Sequence, residues 1–331
     1  MLPLDRLKDV KVNLAGTFNG FKDRDKNTVL FSVVIPAYNR ASALAPTLNS
    51  VLVQTCQDFE IIVVDDGSTE DIHTVAGGLN DTRIFVLRQE NKGASAARNY
   101  GVDHARGKYI AFLDSDDFFL KDHLERMIRL LERGDEIIAY SQVICDRGNG
   151  RRFVRPPRGI RPGEDMATYL ICDRGFVQTS GLAMRREIAQ AIRYNEMARF
   201  GDDTDFAIRL QLAGYRFVMD EVPSVVWVDH DNRERLSLER RAIGPLTWLE
   251  ALRPFIAVRA YHGYRGWHLA KSVWGQNPLR ALGLYLRGVS AGAYGPRLAI
   301  LILSQIIIPD QLYRKMSDVW LAASAHRGSA E

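Results

Sequence analysis

The sequence predicts an α/β fold built on a mostly parallel, doubly wound sheet that is flanked by helices. Four short apolar runs alternate with segments of helical spacing in the first part of the chain. The strongest of these runs are continuously apolar, which is typical of strands covered on both faces. Two of them end in clusters of aspartate, at the edge where a parallel sheet binds its ligands.

The first strand is predicted over Val29–Ile35 and is expected to stop at Pro36. A helix follows, because four apolar residues recur at helical spacing: Leu44, Leu48, Val51 and Leu52. Three more strands and an intervening helix are predicted in the segments DFEIIVVDDGST, RIFVLRQEN, SAARNYGVDHAR and KYIAFLDSDD.

Beyond Glu132 the alternation is less regular. We interpret GDEIIAYSQVICD as a pair of strands and YRFVMDEVPSVVWVDH as a final strand or two. The segment RRFVRPPRGIRPGED is rich in proline and arginine, so it is expected to be an irregular exposed loop. DDTDFAIRLQLAGY is predicted to be a helix, because its acidic start suits the positive end of the helix dipole.

Three parts are predicted: an N-terminal extension over residues 1–28, an α/β domain over 29–237 and a helical C-terminal region over 238–331. The hydrophobic content of 46% and the charged content of 25% exclude a disordered chain. A net charge of +4 is too small to indicate nucleic-acid binding. The three cysteines show no metal-site spacing and favour a reducing compartment. We expect neither a signal peptide nor a membrane-spanning segment.

The stretch AFLDSDDFFL places Asp114, Asp116 and Asp117 between two apolar runs. Like charges this close raise one another's pKa, and a bound Mg²⁺ or Mn²⁺ would remove the repulsion. A calcium-binding EF-hand loop is excluded because Phe118 interrupts the ligand pattern. An aspartyl nucleophile of the phosphatase type remains open.

Three segments with polar residues are expected at one sheet edge: Pro36–Asn39, Asp65–Ser68 and Asp114–Asp117. Any one of them alone is explained by ordinary loop chemistry, in which aspartate, serine and glycine are common. The convergence of all three on one edge favours a binding site.

Four motifs in order resemble the inverting family 2 glycosyltransferases of the GT-A fold: VVIPAYNR, EIIVVDDGST, ENKGASAARNYGVDHARGKYIAFLDSDD and GDDTDFAIRL. The resemblance covers about Phe31 to Ser237. It implies a GT-A fold, a nucleotide-diphosphate sugar donor, which in this family is usually UDP-linked, and Mn²⁺ or Mg²⁺. It also implies a glycan or lipid-linked acceptor and a role in bacterial exopolysaccharide, capsule or lipopolysaccharide assembly.

The resemblance further implies which residues contact the donor. Pro36, Ala37 and Tyr38 would line the base and ribose, Asp66 would accept a hydrogen bond from the base, and Gly67 and Ser68 would shape that turn. The positions where the family's donor contacts cluster are Lys92, Gly93 and Arg98. Asp114 and Asp116 would form the D-x-D motif, with Ser115 between them. Asp116 is the expected direct metal ligand, and Asp114 would lie nearer the ribose and complete the metal site.

By the same resemblance, the acids of GDDTD would serve the acceptor. Asp203 matches the position of the general base, which takes the proton of the acceptor hydroxyl. Asp202 stands where many relatives carry glutamate, and Asp205 is the backup candidate. The alternative for all three is capping of a helix N-terminus.

Two later segments are candidates for closing the site. His230, Arg233 and Arg235 in HDNRERLS would either cover the diphosphate or form a solvated basic turn. In DRGFVQTSGLAMRRE, acceptor contacts would come from Asp173, Thr179 and Ser180.

The C-terminal region mixes aromatic, basic and apolar residues, which favours a place at a membrane interface. The expected location is then cytoplasmic and peripheral on the inner membrane. The alternatives are packing on the catalytic domain or a homodimer interface. Two other functions stay open: a non-catalytic sugar-nucleotide-binding scaffold and a sugar nucleotidyltransferase, although the latter would need a glycine-rich loop after its first strand. A processive polysaccharide synthase is not expected, because it would need flanking membrane spans and a Q-x-x-R-W motif, and the sequence shows neither.

Overall fold

The computed structural model describes Leu4, Leu7 and residues 29–198, 201–230 and 247–318. The predicted N-terminal extension therefore falls almost entirely outside the described residues, as do Arg233, Arg235 and the predicted boundary near Ser237. That boundary stays a prediction.

The chain divides into two compact units. The first comprises the described residues up to Cys145 together with Val154–Ile160 and Phe176–Val228. The second comprises Asp146–Phe153, Arg161–Gly175 and the described residues from Asp229 onward. The second unit thus also takes two segments from within the range predicted for the α/β domain.

The strands of the described residues form one mixed sheet. They are β1 Phe31–Ala37, β2 Phe59–Asp65, β3 Ile84–Arg88, β4 Tyr109–Phe112, β5 Phe118–Phe119, β6 Ile137–Asp146, β7 Arg152–Arg155, β8 Leu182–Arg185 and β9 Arg216–Val228. Their order is β3-β2-β1-β4-β8-β6-β9-β5, and β7 pairs with β6. The pairs β3–β2, β2–β1 and β1–β4 are parallel, whereas β4–β8, β8–β6 and β9–β5 are antiparallel.

The helices are α1 Ala41–Leu52, α2 Ile72–Gly77, α3 Ala94–His104, α4 His123–Leu131, α5 Met166–Cys172, α6 Arg186–Ile192, α7 Asp202–Leu212, α8 Thr247–Leu252, α9 Val258–Tyr264, α10 Ala270–Val273, α11 Pro278–Ser290 and α12 Pro296–Ile307. A π-helical turn spans Arg265–Leu269, and helical backbone covers residues 310–318. The predicted α/β fold with a helical C-terminal region is therefore confirmed.

The prediction that Pro36 ends the first strand is wrong, because β1 continues through Pro36 to Ala37. Along β1, the backbone groups of successive residues face the two neighbouring strands alternately. The carbonyl of Val34 accepts a hydrogen bond from the β4 side, and the carbonyl of Ala37 accepts one from the N–H of Asp66 on the β2 side. Pro36 shares the side of Val34, where the β4 pairing has already ended. No ladder N–H is needed there, so proline is tolerated.

Two other segments also differ from expectation. The proline- and arginine-rich segment is not wholly irregular, since Arg152–Arg155 forms β7 before its prolines begin. Its side chains alternate between exposed and half-buried, which suits a strand with one covered face. The segment GDEIIAYSQVICD contains one long strand, β6, in place of the predicted pair, whereas YRFVMDEVPSVVWVDH contains β9 and agrees with the prediction of one or two strands.

Helix α3 packs closely on β1. A Cβ atom added to Gly101 would lie 2.5 Å from Cγ1 of Val34, so only glycine allows this approach. The same helix carries Arg98 and Asn99, and its position on the sheet therefore fixes where these two side chains lie.

The second unit is helical and has its own apolar packing. Helix α9 contacts α5, and Gly263 of α9 lies against Ile171, Cys172 and Ala293. This packing explains why residues 161–175 join the C-terminal helices. Within the described residues, no helix is both long and apolar enough to cross a bilayer.

Candidate active site

The loop after β2 is organised around the carboxylate of Asp66. It accepts hydrogen bonds from Nε2 of Gln89 at 2.7 Å and from the backbone N–H groups of Lys92 at 2.9 Å and Gly93 at 2.8 Å. A carboxylate offers about four acceptor sites. The expected bond from a nucleotide base would therefore have to use the remaining capacity of Asp66, and that role stays a prediction.

Its neighbour Asp65 is fully buried and joins the same loop. Its carboxylate accepts from the guanidinium of Arg88 at 2.6 Å and from the backbone N–H of Ser68 at 2.8 Å. The hydroxyl of Ser68 accepts from the backbone N–H of Asn39, and the Asn39 side chain accepts from the backbone N–H of Thr69. These bonds tie the end of β1 to the end of β2 before any ligand binds.

The residues predicted to surround the base occupy this edge. Pro36 and Ala37 are buried in β1, whereas Tyr38 is 49% exposed and available to a ligand. Gly67 has a φ of +77°, and a Cβ atom there would lie 2.8 Å from the backbone nitrogen of Asn91. The turn therefore requires glycine at this position.

Arg98 joins the two acidic motifs. Its guanidinium donates to Oδ1 of Asp114 and to Oδ2 of Asp202, both at 2.7 Å, and lies 4.9 Å from the ring centre of Tyr194. Ser95 adds a bond to Asp202 at 3.2 Å. The two carboxylates outweigh the cost of burial and raise the pKa of Arg98, so it is charged at every working pH.

Tyr194 and Asn99 support Arg98, and sequence reasoning missed both. The Asn99 amide donates to the backbone carbonyl of Tyr194 at 3.0 Å and accepts from its N–H at 2.8 Å. The Tyr194 ring stacks on Phe206 with 4.1 Å between the ring centres. The position of Asn99 directly after Arg98 was the available signal, whereas nothing around Tyr194 in the sequence indicates its place.

Asp117 has a structural role in the acidic loop. It is buried and accepts hydrogen bonds from Ser180 at 2.6 Å, Gln178 at 2.9 Å and the backbone N–H of Val228 at 3.0 Å. Thr179 is buried as well, and Ser180 also accepts from the backbone of the loop. Burial gives Thr179 and Ser180 a supporting position, which weakens the hypothesis that they touch the acceptor.

The remaining acids, Asp114 and Asp116, are both half-buried. Burial and the charges of these two neighbours raise the pKa of Asp117 well above its usual value. In the described part of the chain, no group of three or more histidine, cysteine, aspartate or glutamate residues could hold a metal ion. Two carboxylates fit Mg²⁺ or Mn²⁺ that takes its other ligands from substrate phosphates and water.

Asp202 and Asp203 lie inside the first turn of α7, and Gly201 is the N-cap with a φ of +71°. Because the N-cap is a glycine, none of the three acids holds the capping position itself, but an acid within the first turn can still satisfy one of its free N–H groups. Asp203 is partly exposed and accepts from the backbone N–H of Thr204 at 2.6 Å. Burial in the first place, and the charge of Asp202 in the second, raise the pKa of Asp203 to about 7.

Asp205 lies apart from this pair. It is buried, and its carboxylate accepts from Nε of Arg209 at 2.7 Å. Arg209 is also buried and donates to the backbone carbonyls of Ile192 and Arg193. The ion pair gives Asp205 a structural role and leaves it a weak candidate for a general base.

The family model described as "Glycosyl transferase family 2" matches residues 32–193. The amylovoran biosynthesis glycosyltransferase AmsB of Erwinia amylovora is 33% identical over 255 residues, which are 73% of this chain and 83% of AmsB. The chain belongs to glycosyltransferase family 2. The resemblance found in the sequence is therefore confirmed.

The chain is also similar to one further relative in sequence and to one solved structure in fold. The UDP-Glc:alpha-D-GlcNAc-diphosphoundecaprenol beta-1,3-glucosyltransferase WfaP of Escherichia coli is 36% identical over 119 residues, 36% of this chain and 47% of WfaP. The mannosyltransferase PcManGT of Pyrobaculum calidifontis, solved with GDP-Man and Mn²⁺, has a TM-score of 0.53 at 18% identity over 91% of this chain and 96% of its own. The second likeness supports the GT-A fold alone.

The predicted basic loop, HDNRERLS, is only partly described by the structure. His230 is more than half exposed, and its Nε2 lies 3.6 Å from a carboxylate oxygen of Asp146. Arg233 and Arg235 lie outside the described residues. Closure of this loop over a diphosphate therefore stays a prediction.

Proposed function

We propose that the chain is a metal-dependent, inverting glycosyltransferase. It would move one sugar from a UDP-sugar to a glycan or lipid-linked oligosaccharide acceptor during bacterial surface polysaccharide synthesis. The observation that carries the proposal is the Arg98 guanidinium, which bonds to Asp114 on one side and to Asp202 on the other. The predicted metal motif and the predicted base motif therefore lie within the span of one side chain.

The choice of UDP rests on the relatives. WfaP, whose name specifies UDP-Glc and a diphosphoundecaprenol acceptor, is 36% identical over 119 residues, whereas PcManGT, which was solved with GDP-Man, is 18% identical over 91% of this chain. The name of AmsB specifies amylovoran biosynthesis, and the name of WfaP specifies an acceptor sugar linked to diphosphoundecaprenol. These names support the donor class, the acceptor class and the polysaccharide setting of the proposal.

On the donor side, the loop held by Asp66 would bind the base, and Lys92, Gly93 and Arg98 would face the diphosphate. Nε of Arg98 is buried and has no hydrogen-bond partner among the described residues, so one donor remains for a ligand or a water. Asp116 and Asp114 would hold Mn²⁺ or Mg²⁺, which supplies positive charge to the departing diphosphate when bound.

On the acceptor side, Asp203 would act as the general base. Its carboxylate takes the proton of the acceptor hydroxyl while the oxygen forms a bond to the anomeric carbon. The bond from that carbon to the diphosphate breaks, and the nucleoside diphosphate leaves with the bonding electrons. Attack from the opposite face converts an α-linked donor into a β-linked product.

The test measures release of the nucleoside diphosphate from a panel of UDP-sugars and from GDP-mannose with Mn²⁺ or Mg²⁺, in the presence of lipid-linked acceptor extracts. We expect one donor to turn over in the wild type, and Asp116→Ala and Asp203→Asn to lose about 10²–10⁴-fold of that rate. Glu132→Gln, an exposed acid at the end of α4, is the matched control.

The alternatives predict other results. UDP binding without turnover of any donor would favour the scaffold, and pyrophosphate release from a nucleoside triphosphate and a sugar phosphate would favour the nucleotidyltransferase. Normal turnover by Asp203→Asn would remove that residue as the base. GDP-mannose as the only active donor would correct the choice of nucleotide.

A further inference from the structure

The second unit contains a long stretch without acidic residues. No aspartate or glutamate lies between Glu250 and Asp310, a span of 59 residues that carries six arginines and one lysine. The whole chain has 40 acidic residues in 331, so this absence is a marked departure from the average composition. The stretch is therefore strongly positive, although the chain as a whole carries only +4.

Helix α11 lies inside this stretch and is apolar on two faces. One face is buried in the unit through Ala281, Leu284, Tyr285 and Gly288. The other carries four exposed apolar side chains at intervals of three, four and three residues: Leu279, Leu282, Leu286 and Val289. Leu279 is 84% exposed and Leu286 is 55% exposed. Such spacing puts all four on one side of a helix.

Positive charge borders this apolar face. Arg280 and Arg287 are exposed and stand seven residues apart, so both lie along the same edge of α11. Helix α12 repeats the arrangement, because Ile300 and Ile307 are exposed seven residues apart after the exposed Arg297. Among the described residues, ten of the sixteen exposed large apolar side chains belong to the second unit.

We propose that the exposed faces of α11 and α12 dock on a bilayer rich in anionic phospholipid. Leucine and isoleucine would enter the interface between headgroups and acyl chains, and the arginines would lie at the headgroup phosphates. This is the make-up of helices that lie in the plane of a membrane surface. The proposal concerns the second unit and does not depend on the transfer chemistry.

Charge decides between a membrane and a second copy of the chain. A homodimer through these faces would bring two pairs of basic helices together, and neither α11 nor α12 carries an acidic residue that could pair with the arginines. Like charges across an interface are unfavourable, whereas anionic headgroups supply the missing negative charge. The apolar faces alone would suit either occupant, but the charge favours the lipid surface.

The test is co-sedimentation of the full chain with vesicles of phosphatidylcholine, with and without phosphatidylglycerol, at low salt. We expect binding that needs phosphatidylglycerol and weakens in high salt, because salt screens the headgroup charge. Arg280→Glu with Arg287→Glu should lower the partition coefficient at least about tenfold, since each basic residue near such a surface strengthens binding about fivefold. Leu279→Ser with Leu286→Ser should lower it by at least about tenfold as well.

Matched controls come from the first unit. Val53 is 58% exposed and Arg133 is exposed, so Val53→Ser and Arg133→Glu should bind vesicles like the wild type. Thermal unfolding of each variant separates lost binding from lost folding. Because no donor or acceptor is present, the result is independent of whether UDP release is observed.

Three outcomes would overturn the proposal. The first is that the folded wild type fails to bind anionic vesicles. The second is equal binding to neutral vesicles, which would remove the anionic requirement. The third is a concentration-dependent dimer, detected by light scattering, that Leu279→Ser with Leu286→Ser dissociates without any change in vesicle binding.

Discussion

At the scale of the residue, the guanidinium of Arg98 connects the two acidic motifs of the candidate site. Arg98 is buried, yet both of its amino groups end on carboxylates from different parts of the chain. Breaking a buried pair leaves an uncompensated charge, which is costly. The planar fork of arginine reaches two carboxylates at once, whereas an ammonium is a single point charge. Arg98 therefore orients Asp114 and Asp202 as well as balancing them.

Replacing Arg98 with lysine should slow turnover by about 10–100-fold, since one charge-assisted bond worth about 1.5–3 kcal/mol is lost. Steady-state kinetics with varied donor would show the loss, and thermal unfolding would report any structural cost. Arg83→Lys is the matched control. Arg83 also donates two hydrogen bonds to a carboxylate, that of Asp81, but it is partly exposed and lies outside the candidate site. An Arg98→Lys enzyme with normal kinetics would contradict the assigned role.

Asp203 is the residue whose charge should set the pH dependence. Its pKa is raised to about 7, and only the ionised carboxylate can accept a proton. The rate at saturating donor should therefore be maximal above pH 7 and should fall about tenfold per unit well below it. A profile of turnover against pH with metal held constant measures this.

The charge of Asp202 contributes to that raised pKa. Asp202→Asn removes this charge, so the acid side of the profile should move to lower pH even if the maximal rate drops. A profile that stays in place, or one that moves to higher pH, would mean that Asp203 does not carry the titration.

At the scale of the element, the approach of α3 to β1 places Arg98. Gly101 allows the close contact with Val34, and Arg98 lies one turn before it on the same helix. A larger residue must push α3 away from the sheet. Such a shift would separate Arg98 from Asp114, which follows β4 at the neighbouring edge.

Two helical glycines make a matched comparison for this point. Gly101→Ala should cost about 1–3 kcal/mol of unfolding free energy through overpacking and should also reduce turnover. Gly283 of α11 has open space around its Cα, so Gly283→Ala should stabilise by up to about 1 kcal/mol through helix propensity. Denaturant unfolding measures both, and equal effects would contradict the packing argument.

Sequence patterns predicted some of the strands and missed or misplaced others. Continuous apolar runs identified β1, β2 and β4, because burial on both faces leaves a local signal. The end of β1 was misplaced because the side to which Pro36 points depends on the neighbouring strand. Strand β7 was missed because only its four residues before Pro156 are extended.

At the scale of the whole molecule, the sequence indicated a candidate site but not the contacts within it. The aspartate clusters indicated it because they follow parallel strands, whose carboxyl ends meet at the edge where such sheets bind ligands. The buried role of Asp117, by contrast, depends on Ser180 and Val228, which are distant in the chain. The ion pair of Asp205 with Arg209 is local, yet its burial depends on the backbone of residues 192 and 193.

The division of the chain into these two units could not be predicted from the sequence either. Residues 161–175 read as part of the α/β domain, but α5 packs with α9 in the second unit. Such an exchange leaves no periodic signal, because the apolar face of a short helix does not specify its partner.

The bonds that hold the loop after β2 have a kinetic consequence. Asp66, Asn39 and Ser68 already fix this loop through bonds within the protein, so a nucleotide that binds here as proposed needs no ordering of the loop when it arrives. Association should then resemble a simple collision, with an observed rate that rises linearly with nucleotide concentration and shows no plateau. Any slow phase in the binding trace would belong to a different segment of the protein.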